Sequence, residues 1–228
     1  MSVMITPEKL AGYFDHSFLK AYFTHDDLVR FCGECTRYKF KMAAVNSVAV
    51  KDCKELLRGS GIRVGAAVGF PLGQTTIECK AFETRKAIED GANEIDYVLN
   101  IGRLRSGDVA YIEEEMRAIV QVCREHGVTS KVILETCYLS DEEKKAACGV
   151  AVKALPDFVK TSTGFGNGGA TVADVLLMKE AVGGKVKIKA SGGIKDLKTA
   201  LDMIEAGAGR IGTSYSADIM RELERMMK

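Results

Sequence analysis

Two periods of apolar and polar positions take turns along this chain. Short runs rich in Val, Ile and Ala, with the two-residue alternation of a strand, fall at residues 12–18, 39–46, 63–70, 94–100, 131–135, 157–162, 186–190 and 209–213. Between them lie longer stretches with helical spacing, such as IECKAFETRKAIEDGA (77–92) and VAYIEEEMRAIVQVCREHG (109–127), the second stopping at Gly127 as helices often do. Helix-start signals recur as well: Thr24 before HDDL, Ser140 before DEEKK, and Thr171 before VADVLLM. Strand–helix alternation of this kind means parallel strands joined by crossovers. Eight such units in this length are the arithmetic of a (β/α)8 TIM barrel. A doubly wound open sheet is the competing α/β arrangement, but no G-x-G-x-x-G follows the first strand. With only three prolines and no low-complexity stretch, residues 1–228 read as one domain.

Composition narrows the class without fixing the chemistry. Hydrophobic residues make up 46% of the 228, enough for a sizeable core, and Lys+Arg (32) nearly balance Asp+Glu (31). That balance argues against a general nucleic-acid or membrane-surface binder, while leaving room for a local basic pocket that holds a small anion. The opening MSVMITPEKLAGYFDHSF has no basic region followed by an apolar run, so no signal peptide is expected. No apolar stretch approaches the ~20 residues needed to span a bilayer. Seven cysteines, an odd number without a disulfide framework, fit reduced thiols and a cytoplasmic enzyme. Cys32 and Cys35 form a C-x-x-C inside THDDLVRFCGECTRYKF (24–40), which reads as a helix. With no second Cys/His pair nearby, a structural role outweighs redox or metal chemistry. The three histidines, His16, His25 and His126, are too dispersed for a metal triad, and no metal is expected.

Several predicted strands carry charges where a barrel interior normally holds Val, Ile and Leu: Asp15, Asp96, Lys131, Glu135, Lys160, Lys187 and Lys189. In VKIKA (186–190), Val186, Ile188 and Ala190 suit the helix-facing side, which sends Lys187 and Lys189 inward. In EIDYVLN (94–100), Ile95 and Tyr97 likewise leave Asp96 on the opposite face. Any one of these charges, taken alone, suits a salt bridge at a barrel end. Together they describe a chemical site, because Lys160 and Lys189 lie near the C-terminal ends of their strands, where barrel enzymes keep their chemistry. An ordinary lysine, at pKa ~10.4, is protonated at neutral pH, and bringing it to about 7 costs roughly 4–5 kcal/mol. Partial burial and a neighbouring ammonium supply that. The freed amine attacks a carbonyl, and the resulting iminium is an electron sink for C–C cleavage, with a carboxylate such as Asp96 moving protons through a water.

Three glycine-bearing turns follow the late strands: TSTGFGNGG (161–169), SGGIKD (191–196) and IGTSYS (211–216). Glycine there permits tight turns in any barrel. Turns after strands seven and eight, with helix N-termini behind them, are also where barrels commonly hold a phosphate, and that reading is preferred.

These motifs together resemble the deoxyribose-phosphate aldolase family. The likeness runs through FDHSFLK (14–20), VGFPLGQTTIECKAFE (68–83), GANEIDYVLNIG (91–102), KVILETCYLSDEE (131–143), DFVKTSTGFGNGGATVADVLLM (157–178), IKASGGI (188–194) and GAGRIGTS (207–214). FVKTSTGF and KASGGI are the most specific. The resemblance implies a (β/α)8 barrel without metal or cofactor, often dimeric, that reversibly cleaves 2-deoxyribose 5-phosphate to glyceraldehyde 3-phosphate and acetaldehyde. By motif, Lys160 would form the Schiff base, Lys189 would depress its pKa, and Asp96 would shuttle protons. Asp15 and Thr163 would position sugar hydroxyls, and Gly164, Gly192, Gly193, Gly212 and Ser214 would surround the phosphate.

The chain also departs from the family pattern. GTSYS replaces the usual GTSSG, placing Tyr215 and Ser216 in the last phosphate loop, and AVNS (44–47) replaces a Cys-Val-Asn-Pro-like turn. Lys187 adds a third inward amine. These departures bear on the substrate, so a related class I aldolase with another acceptor is the neighbouring reading. A pyridoxal-phosphate barrel and a catalytically silent barrel are the readings from other classes. The retention of Lys160, Lys189 and Asp96 together speaks against the last, since an unpaired buried lysine is costly to keep.

Overall fold

The computed structural model describes residues 5–227, so the first four residues of the segment read for a signal peptide lie outside it. Eight strands alternate with helices: β1 (Phe14–Phe18), β2 (Met42–Asn46), β3 (Arg63–Val68), β4 (Glu94–Val98), β5 (Thr129–Ile133), β6 (Phe158–Lys160), β7 (Lys187–Ser191) and β8 (Ala208–Thr213). Each is parallel to its neighbours and β8 pairs back onto β1, closing the barrel in sequence order. All eight expected strands are present, with ends moved by at most three residues. The helices are α1 (Pro7–Ala11), α2 (His25–Tyr38), α3 (Val50–Leu56), α4 (Ile77–Glu89), α5 (Ile101–Arg105), α6 (Val109–Glu125), α7 (Asp141–Ala154), α8 (Val172–Val182), α9 (Leu197–Ala206) and α10 (Ser216–Met226).

Local chemistry sets the helix starts. Thr24 and Ser140 each cap a helix through a reciprocal capping box, with Asp27 and Glu143 as the returning partners, and Thr171 caps α8 through Asp174. Gly127, at φ 65°, supplies the left-handed turn after α6. Among the described residues no helix is long and apolar enough to cross a membrane.

The two-residue alternation divides each strand between two environments. Outward-facing Val45, Val64, Ile95, Val132, Val159, Ile188 and Ile211 join the helix residues Leu28, Phe31, Ile112, Met116, Val175, Met178 and Met203 in one apolar cluster. Cys32 and Cys35 sit in that cluster on α2, where burial pushes the Cys35 thiol up, while a hydrogen bond with Cys53 draws the Cys32 thiol down. The inward faces differ. They hold small residues such as Ala44, Gly65 and Ala67 beside long charged ones, and a Cβ at Gly65 would overlap the Met42 thioether.

One expectation fails here. Lys187 shares the inward face with Lys189 but lies at the lower end of β7, where it is exposed and reaches over the Phe158 ring, 5.7 Å from its centroid. Two residues along a strand cover about 6.6 Å, enough to leave the interior. The third buried inward amine is Lys131.

Outside the barrel, fully buried Lys80 on α4 meets Glu115 on α6 at 2.5 Å and donates to the Val98 carbonyl at 2.7 Å. The other Glu115 oxygen accepts the Asn100 N–H at 2.9 Å, so this pair ties the exit of β4 to two helices. Removing one partner strands a buried charge, whereas replacing both with apolar residues does not. Lys80→Ala is therefore expected to destabilise the fold by about 3–5 kcal/mol, read from the urea midpoint, and Lys80→Met/Glu115→Leu together by much less.

Candidate active site

The barrel's charged interior is built by register. Asp96 lies beside Lys131 across β4–β5, Lys160 beside Lys189 across β6–β7, and Lys189 beside Arg210 across β7–β8. Asp15 enters from β1 and Glu94 from the start of β4. All seven side chains are buried.

Their contacts form one continuous network. Arg210 donates to Asp15 at 2.6 Å and to Glu94 at 2.8 Å. Lys131 lies 2.6 Å from Glu94 and 2.6 Å from Asp96 Oδ1. Lys189 lies 2.5 Å from Asp15 and 2.6 Å from Asp96 Oδ2, and Lys160 reaches that same Oδ2 at 2.8 Å. At the lower end, half-exposed Arg63 touches Glu94 at 3.2 Å from the solvent side.

Counting charges picks out one residue. Within this network three buried carboxylates stand against four buried cations. Lys131, Lys189 and Arg210 each bridge two carboxylates closely, whereas Lys160 shares a single oxygen that Lys189 already holds. Burial pulls the Lys160 ammonium down to about 8, with Lys189 adding to the effect and Asp96 opposing it. The Asp96 carboxyl goes the other way. Burial alone would raise it, but Lys131, Lys160 and Lys189 outweigh that and hold it well below the usual carboxylate range. Glu94 is likewise held at about 2, burial being overcome by Lys131 and Arg210.

Above Lys160 a cavity of about 260 Å³ opens at the C-terminal end of the strands. Lys160, Thr163, Gly164, Gly192, Gly193, Gly212 and Ser214 line it. Gly192 and Gly193 are both left-handed, at φ 83° and 77°. A Cβ at Gly192 would press on Gly169 and Ser162, and one at Gly212 would meet the Lys189 stem at 3.0 Å. Lys20 and Lys195 stand on the same lining. A larger groove of about 820 Å³, at the opposite end of the barrel between Lys51, Arg58, Arg63 and His126, holds none of these residues.

The structure therefore brings together Lys160, Lys189 and Asp96, and puts Thr163, Ser214 and the four glycines on one cavity. Asp15 is placed differently. It is fully buried beneath the pocket, with its oxygens engaged by Arg210 and Lys189, and it does not line the cavity. Tyr215 stands on the rim with Lys195 5.8 Å over its ring, while the Ser216 hydroxyl turns inward to the Thr213 carbonyl at 3.2 Å. Sequence reasoning passed over Lys20, Lys195, Glu94 and Arg210. Arg210 carried a readable signal, being the inward residue of β8 one strand over from Lys189.

Residues 17–221 match the family model described as DeoC/LacD family aldolase. The chain belongs to this aldolase family. It is 51% identical over 224 residues to a deoxyribose-phosphate aldolase of Bacteroides thetaiotaomicron, covering 98% of this chain and 94% of the relative. It is 49% identical over 223 residues to one of Lactobacillus acidophilus, with 98% and 94% covered. The solved tetrameric deoxyribose phosphate aldolase of Aeropyrum pernix superposes with TM-score 0.90 at 29% identity, covering 97% of this chain and 93% of that one. A solved aldolase named QR15 gives TM-score 0.90 at 36% identity over 100% and 99%. The aldolase is thus a lyase of the deoxyribose-phosphate aldolase type.

In this aldolase the amine form of Lys160 should emerge as pH rises through about 8. Labelling with a small amine reagent, read lysine by lysine through peptide mass mapping, should reach half its maximal rate at Lys160 near that pH. Lys189→Leu removes a neighbouring cation and leaves Asp96 Oδ2 to Lys160 alone, so the midpoint should move upward by at least one unit, about 1.4 kcal/mol. An unmoved midpoint would refute the two-lysine argument.

Proposed function

We propose that the enzyme cleaves 2-deoxy-D-ribose 5-phosphate reversibly to D-glyceraldehyde 3-phosphate and acetaldehyde through a Schiff base on Lys160. One observation carries this reading: a buried lysine with no carboxylate of its own, at the floor of a glycine-walled pocket, sharing one Asp96 oxygen with a second lysine. The relatives' names as deoxyribose-phosphate aldolases support the choice of reaction.

The chemistry follows from the amine. Neutral Lys160 Nζ adds to the sugar's C1 aldehyde, and the carbinolamine loses water to give an iminium. Removal of the C3 hydroxyl proton lets the C2–C3 bond break, its electron pair moving into the iminium to form an enamine and releasing glyceraldehyde 3-phosphate. The enamine is protonated at C2, and water hydrolyses the iminium to acetaldehyde and free lysine. Asp96, held ionised by three lysines with Oδ2 toward Lys160, is the group suited to pass these protons through a water. Lys189 stays paired and keeps Lys160 from gaining a full partner. Asp15 works from below by holding Lys189 and Arg210. At the far end, Gly164, Gly192, Gly193, Gly212 and Ser214 offer close backbone approach to the phosphate, and Lys20 and Lys195 offer charge. Tyr215 is the rim residue at which a different acceptor would be admitted.

Borohydride reduction in the presence of 2-deoxyribose 5-phosphate should leave a reduced adduct on the peptide bearing Lys160, and Lys160→Leu should abolish both adduct and turnover. An adduct on another lysine, or none on folded protein, would overturn the assignment. Asp96→Asn should lower kcat by about 10²–10⁴-fold, the usual scale for lost proton transfer, with a much smaller change in KM.

A further inference from the structure

Glu135 stands apart from the charged network and is used by nothing described so far. It follows β5, is 2% exposed, and takes a left-handed backbone at φ 57°, ψ 64°, which a residue with a Cβ rarely adopts. No ion pair among the described residues includes it. Its carboxylate faces Thr163 instead: the Thr163 N–H lies 3.3 Å from both oxygens, and the Thr163 hydroxyl makes a short hydrogen bond to Oε2. The 161–169 turn closes over this contact, since a Cβ on Gly166 would sit 3.3 Å from the Glu135 carboxyl carbon. The Cys137 thiol also lies 3.8 Å from Oε1, and a strained, buried, cation-free carboxylate whose oxygens otherwise serve one pocket threonine is a feature that packing alone does not explain.

Hydrogen-bond inventory gives it a purpose. A threonine hydroxyl has one proton and two lone pairs, while an ionised carboxylate only accepts. Thr163 spends its proton on Glu135, and one lone pair takes the Phe165 N–H at 3.0 Å. One lone pair remains, on a residue that lines the cavity above Lys160. Toward substrate, Thr163 can then only accept.

We infer that Glu135 is a positioning residue that fixes the Thr163 hydroxyl as a hydrogen-bond acceptor, so that the site selects an acceptor aldehyde bearing a hydroxyl next to its carbonyl. The inference rests on the aldolase reading above, under which that hydroxyl is the C4 hydroxyl of the cleaved sugar. Glutamine at 135 has the same shape but reverses the arrangement. The Thr163 backbone N–H can only donate, so it claims the single amide oxygen. The amide NH₂ then donates to Thr163 Oγ1, whose own proton is freed toward the pocket.

The test compares two acceptors that share the phosphate: D-glyceraldehyde 3-phosphate and its analogue with fluorine in place of the 2-hydroxyl. Fluorine cannot donate. Condensation with acetaldehyde gives a hydroxyl-to-fluorine ratio of kcat/KM, and intrinsic carbonyl reactivity cancels when variants are compared with the parent enzyme. The ratio should fall about tenfold in Glu135→Gln and in Thr163→Val, the scale of one hydrogen bond, and no further in the double variant. Thr163→Ser, which keeps the hydroxyl, should keep the ratio. If Glu135→Gln slows both acceptors equally, Glu135 is merely structural and the inference falls, as it does if Thr163→Val leaves the ratio unchanged. Borohydride trapping with acetaldehyde alone separates the two levels. Failure to trap Lys160 in the parent enzyme brings down the Schiff-base reading and this inference with it, whereas trapping with an unmoved ratio brings down this inference alone.

Discussion

Within the barrel's charged network three buried carboxylates have four buried cations around them, and that excess of one bears on the amine at its top. An ammonium without its own counter-ion in a dry interior is held there at a cost, and the least costly response is for it to lose its proton. The geometry decides which cation responds. Lys131, Lys189 and Arg210 are bridged from two sides, and Lys160 is not. The lowered proton affinity of Lys160 is thus a property of a whole network, to which Glu94 and Arg210, far below the pocket, belong although they never touch that amine. The apolar ring between strands and helices encloses this network.

Much of the fold could be read before any coordinates. The alternation of two periods located all eight strands, and the capping residues Thr24, Ser140 and Thr171 located helix starts, because both signals are local and depend on a few neighbouring residues. The site was legible for the same reason: Lys160, Lys189 and Asp96 break an apolar strand pattern. What could not be read was height within the barrel. Alternation tells which face a side chain takes and says nothing of how far along the axis it lies. It therefore set Lys187 beside Lys189, when β7 places it outside the lower rim, and it gave Lys131 no special standing. Height comes from strand tilt and from pairings such as Asp96 with Lys131, which join residues distant in the chain.

Asp15 and Glu135 show the same limit for individual roles. Both are carboxylates at strand positions near the pocket, and a sequence motif treats them alike. Asp15 is drawn downward by Arg210 and Lys189, whereas Glu135, lacking any cation, turns to a hydroxyl. The neighbours decide whether a carboxylate stabilises charge or orders a neutral group. The departures in the last loop resolve in a similar way: Ser216 is absorbed by its own turn, and Tyr215 alone faces the cavity rim.

The odd charge count also constrains how such an interior can change over generations. A substitution that neutralises a buried carboxylate of this network adds a second surplus cation, and one that neutralises Lys131 or Lys189 leaves more of Asp96 to Lys160. Either step resets the proton affinity of Lys160, and exchanges that keep the local balance disturb it least. Over generations Glu94 and Arg210 are therefore coupled, since losing either alone leaves a buried charge of its partner short of a counter-ion.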